Sequence, residues 1–505
     1  MPIIGKLLKK TTEINYNRNF KKGREHVNQL ETLSKLIHKA KKTNFGKMYH
    51  FDDLIENSKM IESFQNNVPI TNYEEFYDNW LKKSILGEKN HIWPGRINYY
   101  ALSSGTTGAT SKRIPVTKQM IRSFQKTSMN QMATLYELDL SEDFYNAKML
   151  VVGGSSKLKN KKTHYEGDLS GILKKHTSFL FNPFTKPNNN ITKIPDWNEK
   201  LEKMIEAAPT WDIGIVAGVP SWCIMLMEKI IERYKLKSIH DIWPNFEVYL
   251  HGGVFMKPYI PRLEKVLGKQ VHLLDTYLAS EGYFGYQASI ENEGMQLLLE
   301  NGIFYEFIPF NSEFFDEQGN VKDKHIAFSL NHQLTKGIDY ALVISTNAGL
   351  WRYMIGDLVQ FVDVEKHEIK ITGRIKQYLS LSGEHLSLDN INVAVDNVCK
   401  KLSIEITEFC LFADTDLQRH NWFFGTNSTI DKQVIMDEVD KEICDLNDDY
   451  KTCRKHNLNS PVITILEPTI FYSFLEKIGK SGSQNKFPRV MNHDQAKMWT
   501  DFLSF

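Results

Sequence analysis

Apolar residues recur at helical spacing through the first ~90 residues, which are otherwise polar. Within Asn28–Lys42 that period aligns Leu30, Leu33, Ile37 and Ala40, and Glu74–Leu86 repeats it with Trp80 and Ile85. Ile92–Gly95 (IWPG) predicts a turn, and Ile97–Leu102 (INYYAL) a buried strand that runs into a small, hydroxyl-rich loop. Thr117 opens a helix reaching about Leu138, with Ile121, Phe124, Met132 and Leu135 on one side. Strands and helices then alternate. Strands are predicted at Lys148–Val152, Ile213–Val216, Phe246–Leu250 and Val271–Tyr277, and helices at Asn198–Ala208 and after Pro220 through Tyr234. Phe181–Pro195, with its prolines and asparagine run, predicts a surface loop. The strands end in Gly153–Gly154, Gly218–Val219–Pro220, His251–Gly252–Gly253 and Ala279–Ser280–Glu281–Gly282. Strand–loop–helix order of this kind predicts a doubly wound, mostly parallel sheet with ligands beyond the C-terminal strand ends. Glu281 then stands at a strand-to-helix junction.

From about Gly294 the pattern changes to short β runs: Gln296–Leu299, Ile303–Ile308, Ala341–Ser345, Trp351–Met354, Leu358–Val362 and Glu368–Ile371. These predict a compact β subdomain shaped like a distorted barrel. After Gly373–Arg374 mixed order returns. Helices are predicted at Leu388–Leu402, Asp431–Leu446 and near Tyr472–Lys477, and strands at Glu408–Ala413, Asn421–Gly425 and Val462–Leu466. The expected fold class is α/β: a large domain over 1–376 with mostly parallel sheets and a β-barrel-like subdomain over 290–376, then a mobile α+β lid over 377–505.

Composition narrows the function. The chain has 505 residues, 41% hydrophobic and 24% charged, which excludes a disordered or low-complexity chain. Lys+Arg 62 against Asp+Glu 61 leaves a formal charge of +1, with no basic field for a nucleic acid backbone. Cys223, Cys399, Cys410, Cys444 and Cys453 form no CxxC pair and no metal-ligand spacing, which suits a reducing compartment. Lys6, Lys9 and Lys10 interrupt the apolar start, so no secretory signal is expected. The longest near-apolar run, Ile213–Met227, contains Pro220 and Ser221 and falls short of the ~20 residues of a membrane span. A cytoplasmic protein without nucleic acid or membrane partners is expected, and a monomer is compatible with the chain.

The most informative segment is Ser103–Ser104–Gly105–Thr106–Thr107–Gly108–Ala109–Thr110–Ser111–Lys112. Its glycines allow backbone N–H groups to turn inward as an anion nest, its hydroxyls donate further bonds, and Lys112 adds a full charge. A triphosphate is the natural guest. This is not a Walker loop: before Gly479–Lys480–Ser481, Phe474 stands where glycine is needed. No G-x-G-x-x-G dinucleotide fingerprint is present either.

The same segment, followed by Arg113–Ile114–Pro115, resembles the phosphate loop of the adenylate-forming superfamily and, more narrowly, of the Gretchen Hagen family of acyl acid amido synthetases. Ala109 stands where that family often has glycine. Four further stretches follow in the family's order: Tyr277–Leu278–Ala279–Ser280–Glu281; Gly349–Leu350–Trp351–Arg352–Tyr353–Met354–Ile355–Gly356–Asp357, with Trp351 and Met354 as departures; Gly373–Arg374 with Leu381–Ser382–Gly383–Glu384; and Gln484–Asn485–Lys486–Phe487–Pro488–Arg489.

The resemblance implies an ATP- and Mg²⁺-dependent ligase. It would adenylate a small carboxylic acid and pass the acyl group to an amine, such as an amino acid, releasing AMP and pyrophosphate. An acyl-CoA ligase working through the same adenylate, and a non-catalytic nucleotide-binding regulator, stay open at this point. Ser103, Ser104, Gly105, Thr106, Thr107 and Lys112 would cradle the phosphates, and Glu281 would hold Mg²⁺. Asp357 would accept from the ribose hydroxyls, although turn statistics alone make it a turn aspartate after Gly356. Tyr277 would stack near the adenine, Gly253, Thr276 and Ser280 would complete the nucleotide site, and Arg374 would reach ribose or phosphate. Arg352 reads as structural. Lys486 would swing in as the carboxylate attacks, with the lid turning about Arg374–Glu384. Val219, Trp222, Val254 and Phe255 would line the acid pocket.

Overall fold

The structure is a computed structural model, and it describes residues 2–17, 29–103, 112–177, 183–253, 256, 259–316, 319–330, 334–375, 379, 381, 384, 386, 388–414, 416–456, 458–479 and 487–504. The described residues divide into two compact units. The larger is drawn from 1–103, 111–253 and 267–371, the smaller from 254–266 and 372–505.

A 12-stranded sheet organises the larger unit. One end is parallel. Thr185–Lys186, Lys148–Val152, Ile213–Gly218, Val248–Gly252 and His272–Ala279 lie side by side in that order, all in the same direction. Their cores are runs such as MLVV and IGIV, apolar enough for strands covered on both faces. Past His272–Ala279 the direction reverses. Gly282–Tyr286, Met295–Leu297, Glu368–Arg374, Tyr353–Asp363, Tyr340–Thr346, Ile303–Pro309 and Phe328–Ser329 continue the same sheet, with antiparallel pairing along it.

The strands expected between 290 and 376 thus continue the same sheet as the parallel half. After Ala279 the chain turns back within two residues, and Gly282 pairs with Ala279. A hairpin adds the next strand antiparallel in the plane of the sheet, where a crossover helix would have added it parallel. Two predicted β runs, before and after Gly356, are one strand, Tyr353–Asp363.

The hydroxyl-rich loop has a different setting from the one expected. Tyr99–Ser103 pairs antiparallel with Lys112–Val116, Ser103 opposite Lys112, so residues 104–111 join the two strands of a hairpin. Thr117 then caps the helix Lys118–Thr134, its side chain accepting from the Met120 N–H. Between 183 and 195 the described chain forms a short strand, Thr185–Lys186, and one helical turn, Asn189–Thr192.

Arg352 sits at the centre of the antiparallel half, fully buried, with φ 40°. Its guanidinium lies 3.0 Å from Glu306, which is equally buried, and donates to the carbonyls of Gln65, Val68, Lys324 and His325. This is the structural role read for it.

In the smaller unit Val462–Leu466, Arg419–Gly425, Glu408–Asp414 and Val490–Met491 form a 4-stranded sheet. One core includes Val395 and Val398 of Leu388–Leu402 and Ile435, Val439 and Ile443 of Lys432–Leu446; another gathers Phe471, Phe474 and Trp499. Within this unit Tyr259 and Tyr472 donate to the Glu408 carboxylate, and Arg489 pairs with Glu408 at 3.0 Å. All five cysteines are free, and no described helix is long and apolar enough to cross a membrane.

Candidate active site

Tyr277 and Asp357 lie 80 residues apart in sequence and meet in the larger unit. Tyr277 belongs to His272–Ala279 and Asp357 to Tyr353–Asp363. Both are buried, and the tyrosine hydroxyl donates to the Asp357 Oδ2 at 2.7 Å. Asp357 is therefore a strand residue held by a phenol, not an exposed turn aspartate. The Tyr277 ring also meets Phe284 edge-on at 4.8 Å. Its hydroxyl is occupied with Asp357, so the phenol acts here as an orienting donor.

Four residues after Tyr277 the chain reaches Glu281. Strand-to-helix geometry is absent: Ser280 and Glu281 are the two turn residues of a hairpin, and Glu281 is buried. It faces a narrow cleft with Ser123 and Phe124 of Lys118–Thr134 and with Asn301 and Asn347. No group of three or more His, Cys, Asp or Glu side chains that could enclose a metal occurs among the described residues. A single buried carboxylate nevertheless fits Mg²⁺ arriving on nucleotide phosphates, because that ion takes one or two carboxylates and fills its shell with phosphate oxygens and water.

Lys112 is half-buried, and its ammonium lies 5.1 Å from the ring centroid of Tyr73, a cation–π contact. The Tyr73 hydroxyl accepts from the Arg113 N–H at 2.8 Å. Tyr73 thus holds the start of the strand that follows the hydroxyl-rich loop. Ser103, directly across, is partly buried. Thr276 donates to the His251 carbonyl at 2.8 Å. A Cβ on Gly252 would lie 2.3 Å from the Thr276 carbonyl oxygen, so only glycine lets these strand ends approach, and Gly253 follows at φ 80°.

At the same strand ends His251 stands opposite Asp275. The His251 Nδ1 is buried, 3.5 Å from the Asp275 carboxylate, with no hydrogen bond. Burial pushes the imidazole down to about 4, so it is neutral near pH 7. Neither Tyr73 nor His251 was picked out from sequence. His251 had a signal, its place directly before Gly252–Gly253 at a strand end; Tyr73 had none.

Trp222 is buried and meets Trp197 edge-on at 5.0 Å, between the helices Pro220–Tyr234 and Trp197–Ala207. Val219 is the half-buried cap of the first of these. Arg374 ends Glu368–Arg374 with an exposed side chain, in the part of the chain that belongs to the smaller unit. Ser104, Gly105, Thr106, Thr107, Val254, Phe255 and Lys486 lie outside the described residues, as do Ser382 and Gly383 of the expected hinge.

Comparison with known proteins bears on most of the chain. Residues 18–205 and 157–272 match the GH3 family N-terminal domain, 296–374 the GH3 family central domain and 389–495 the GH3 family C-terminal domain. The chain is 29% identical over 188 residues to indole-3-acetic acid-amido synthetase GH3.4 of Arabidopsis thaliana, 35% of this chain and 30% of that protein. It is 26% identical over 280 residues to jasmonoyl--L-amino acid synthetase GH3.5 of Oryza sativa subsp. japonica, 52% of this chain and 48% of that protein. These alignments thus span less than half the length of either plant synthetase. Among solved structures, the GH3.15 acyl acid amido synthetase superposes with TM-score 0.77 over 94% of this chain and 92% of that one, at 17% identity, so the two share a fold. With all three GH3 domain models matched in order between residues 18 and 495, the chain belongs to the GH3 family.

Proposed function

We propose that this protein is an ATP-dependent acyl acid amido synthetase. The observation that carries this reading is family membership through all three domains, since the same family includes the amido synthetases above. A carboxylate oxygen of a small organic acid attacks the α-phosphorus of ATP, the bond to the bridging oxygen breaks, and pyrophosphate leaves. The nitrogen of an amine, such as an amino acid, then attacks the acyl carbon. The acyl–oxygen bond breaks, AMP leaves, and the nitrogen gives up its proton.

Residue roles follow from chemistry. Lys112 and the hydroxyl-rich loop with Ser103, Ser104, Gly105, Thr106 and Thr107 bind the triphosphate, where two anions must meet. Glu281 holds Mg²⁺, which when bound offsets phosphate charge. Asp357, oriented by Tyr277, accepts from the ribose hydroxyls; that hydrogen bond supports the role by fixing one carboxylate oxygen. Gly253, Thr276, Ser280 and Arg374 complete the nucleotide site, and Lys486, on a C-terminal domain that turns as a lid, meets the attacking carboxylate. Val219, Trp222, Val254 and Phe255 form the acid-binding wall. The free cysteines and balanced charge support a cytoplasmic setting without nucleic acid partners.

The test is pyrophosphate release with ATP, Mg²⁺ and a panel of acids, each with and without amino acids or coenzyme A. Release accelerated only by an amine supports the proposal. Acceleration only by coenzyme A makes the protein a thioester-forming ligase, and nucleotide binding without release under any condition makes it a regulator.

A further inference from the structure

The hairpin that carries the hydroxyl-rich loop has a second feature at its opposite end. Tyr99 pairs with Val116 there, four residue pairs from Ser103–Lys112 and so roughly 13 Å away along the strands. Beside that base lies a cavity of about 320 Å³, walled by Trp93, Tyr99, Val116, Arg96, Lys118 and Arg122. Three of its eleven lining residues are cations, and no Asp or Glu lines it. None of the three makes an ion pair or hydrogen bond among the described residues. All three are exposed to solvent at the mouth of the cavity.

Two further features give the same sign. Lys118 is the first residue of a 17-residue helix, so the N-terminal end of that helix dipole adds positive potential at the cavity. Positive charge extends outward. Lys175 lies over the Tyr99 and Tyr165 rings at 5.6 and 4.2 Å, and His176 meets Tyr99 edge-on. Burial, and after it Lys175 and Lys118, pushes the His176 imidazole down from its ordinary value.

We propose that this cavity is a binding site for a small phosphomonoester, separate from the candidate active site. Two guanidinium groups present forks that match phosphate oxygens, and a dianion suits three cations better than a carboxylate does. The apolar rings and Val116 would take a flat organic body. The volume lies at the lower end of small-molecule pockets, about 300 Å³ and upward, so the ligand is a compact metabolite.

Phenyl phosphate is the probe, titrated calorimetrically into the whole protein at low salt. Binding is expected in the parent protein, weakened on the order of tenfold or more in Arg96→Gln/Arg122→Gln and little changed in Lys112→Ala. Inorganic phosphate should bind more weakly, for want of the apolar body. Absence of phenyl phosphate binding, or binding as tight in the double variant, overturns the proposal. Loss in Lys112→Ala with retention in the double variant moves the ligand to the candidate active site and overturns it equally. Should the double variant fail to fold, the unsubstituted protein still decides. Phenyl phosphate should protect Arg96 and Arg122 from phenylglyoxal, read by peptide mass spectrometry, and equal modification with and without it is the contrary result.

Discussion

Asp357 and Tyr277 share one buried hydrogen bond, and the consequences of breaking it differ by side. Tyr277→Phe keeps the ring against Phe284 but removes a donor from a buried carboxylate, a loss of about 1–3 kcal/mol in folding stability. With its orienting donor gone, Asp357 should also hold nucleotide less well, so the apparent affinity for ATP should fall several-fold while the protein still folds. Urea unfolding and an ATP titration on the same variant separate the two effects. Lys486→Ala should behave differently. It should slow adenylation roughly 10²-fold or more while leaving ATP affinity nearly unchanged, as expected of a group acting only in the transition state. Equal losses in both quantities would refute that role.

His251 supplies a pH dependence at the same scale. Its imidazole titrates near 4 when folded and near the ordinary 6.5 when unfolded. The unfolded chain therefore binds the extra proton first as pH falls. Its contribution to stability is complete above about 6.5 and is lost between there and about 4, a change on the order of 3 kcal/mol. Denaturant unfolding at pH 7.5 and pH 5 should show a smaller acid-side loss in His251→Gln than in the parent protein. An identical loss in both would assign the effect to other groups.

At the scale of elements, the antiparallel half of the large sheet depends on the buried Arg352–Glu306 pair. Arg352 ties Gln65, in Met60–Asn67, and Val68 to the strand bearing Glu306. Arg352→Met strands a fully buried carboxylate and should cost about 3–5 kcal/mol, whereas the double change Arg352→Met/Glu306→Leu should recover much of it. Thermal unfolding of the parent protein, Arg352→Met, Glu306→Leu and the double variant tests this, and additivity of the single changes would contradict it. Four of the five parallel strands were legible as short apolar runs, whereas Thr185–Lys186 fell in a segment that reads as a surface loop. Lys112–Val116 was not, since its Lys, Arg and Pro read as loop. Gly282–Tyr286 was missed because GYFGY has no clear period, and with it the hairpin that places Glu281. Gly356 read as a turn, but at φ 92° it sits inside a continuous strand. The family was legible as a set of ordered motifs. The Tyr277–Asp357 contact was not, because nothing local specifies which strands of a 12-stranded sheet bring two side chains together.

At the scale of the whole molecule, the described chain consists of a large mixed sheet and a smaller α+β unit. The smaller unit also takes in residues 254–266, which lie in sequence between two strands of the large sheet. GH3 membership extends through both units. The proposed chemistry makes one demand that a route through an acyl phosphate does not share: an oxygen of the acid must end on AMP. The most direct measurement is therefore a turnover with acid labelled in both carboxylate oxygens with ¹⁸O, in the presence of ATP, Mg²⁺ and the amine. Mass spectrometry should find one labelled oxygen in AMP for each amide formed. Label appearing in inorganic phosphate alongside ADP, or AMP formed without label, would contradict activation of the acid as an adenylate.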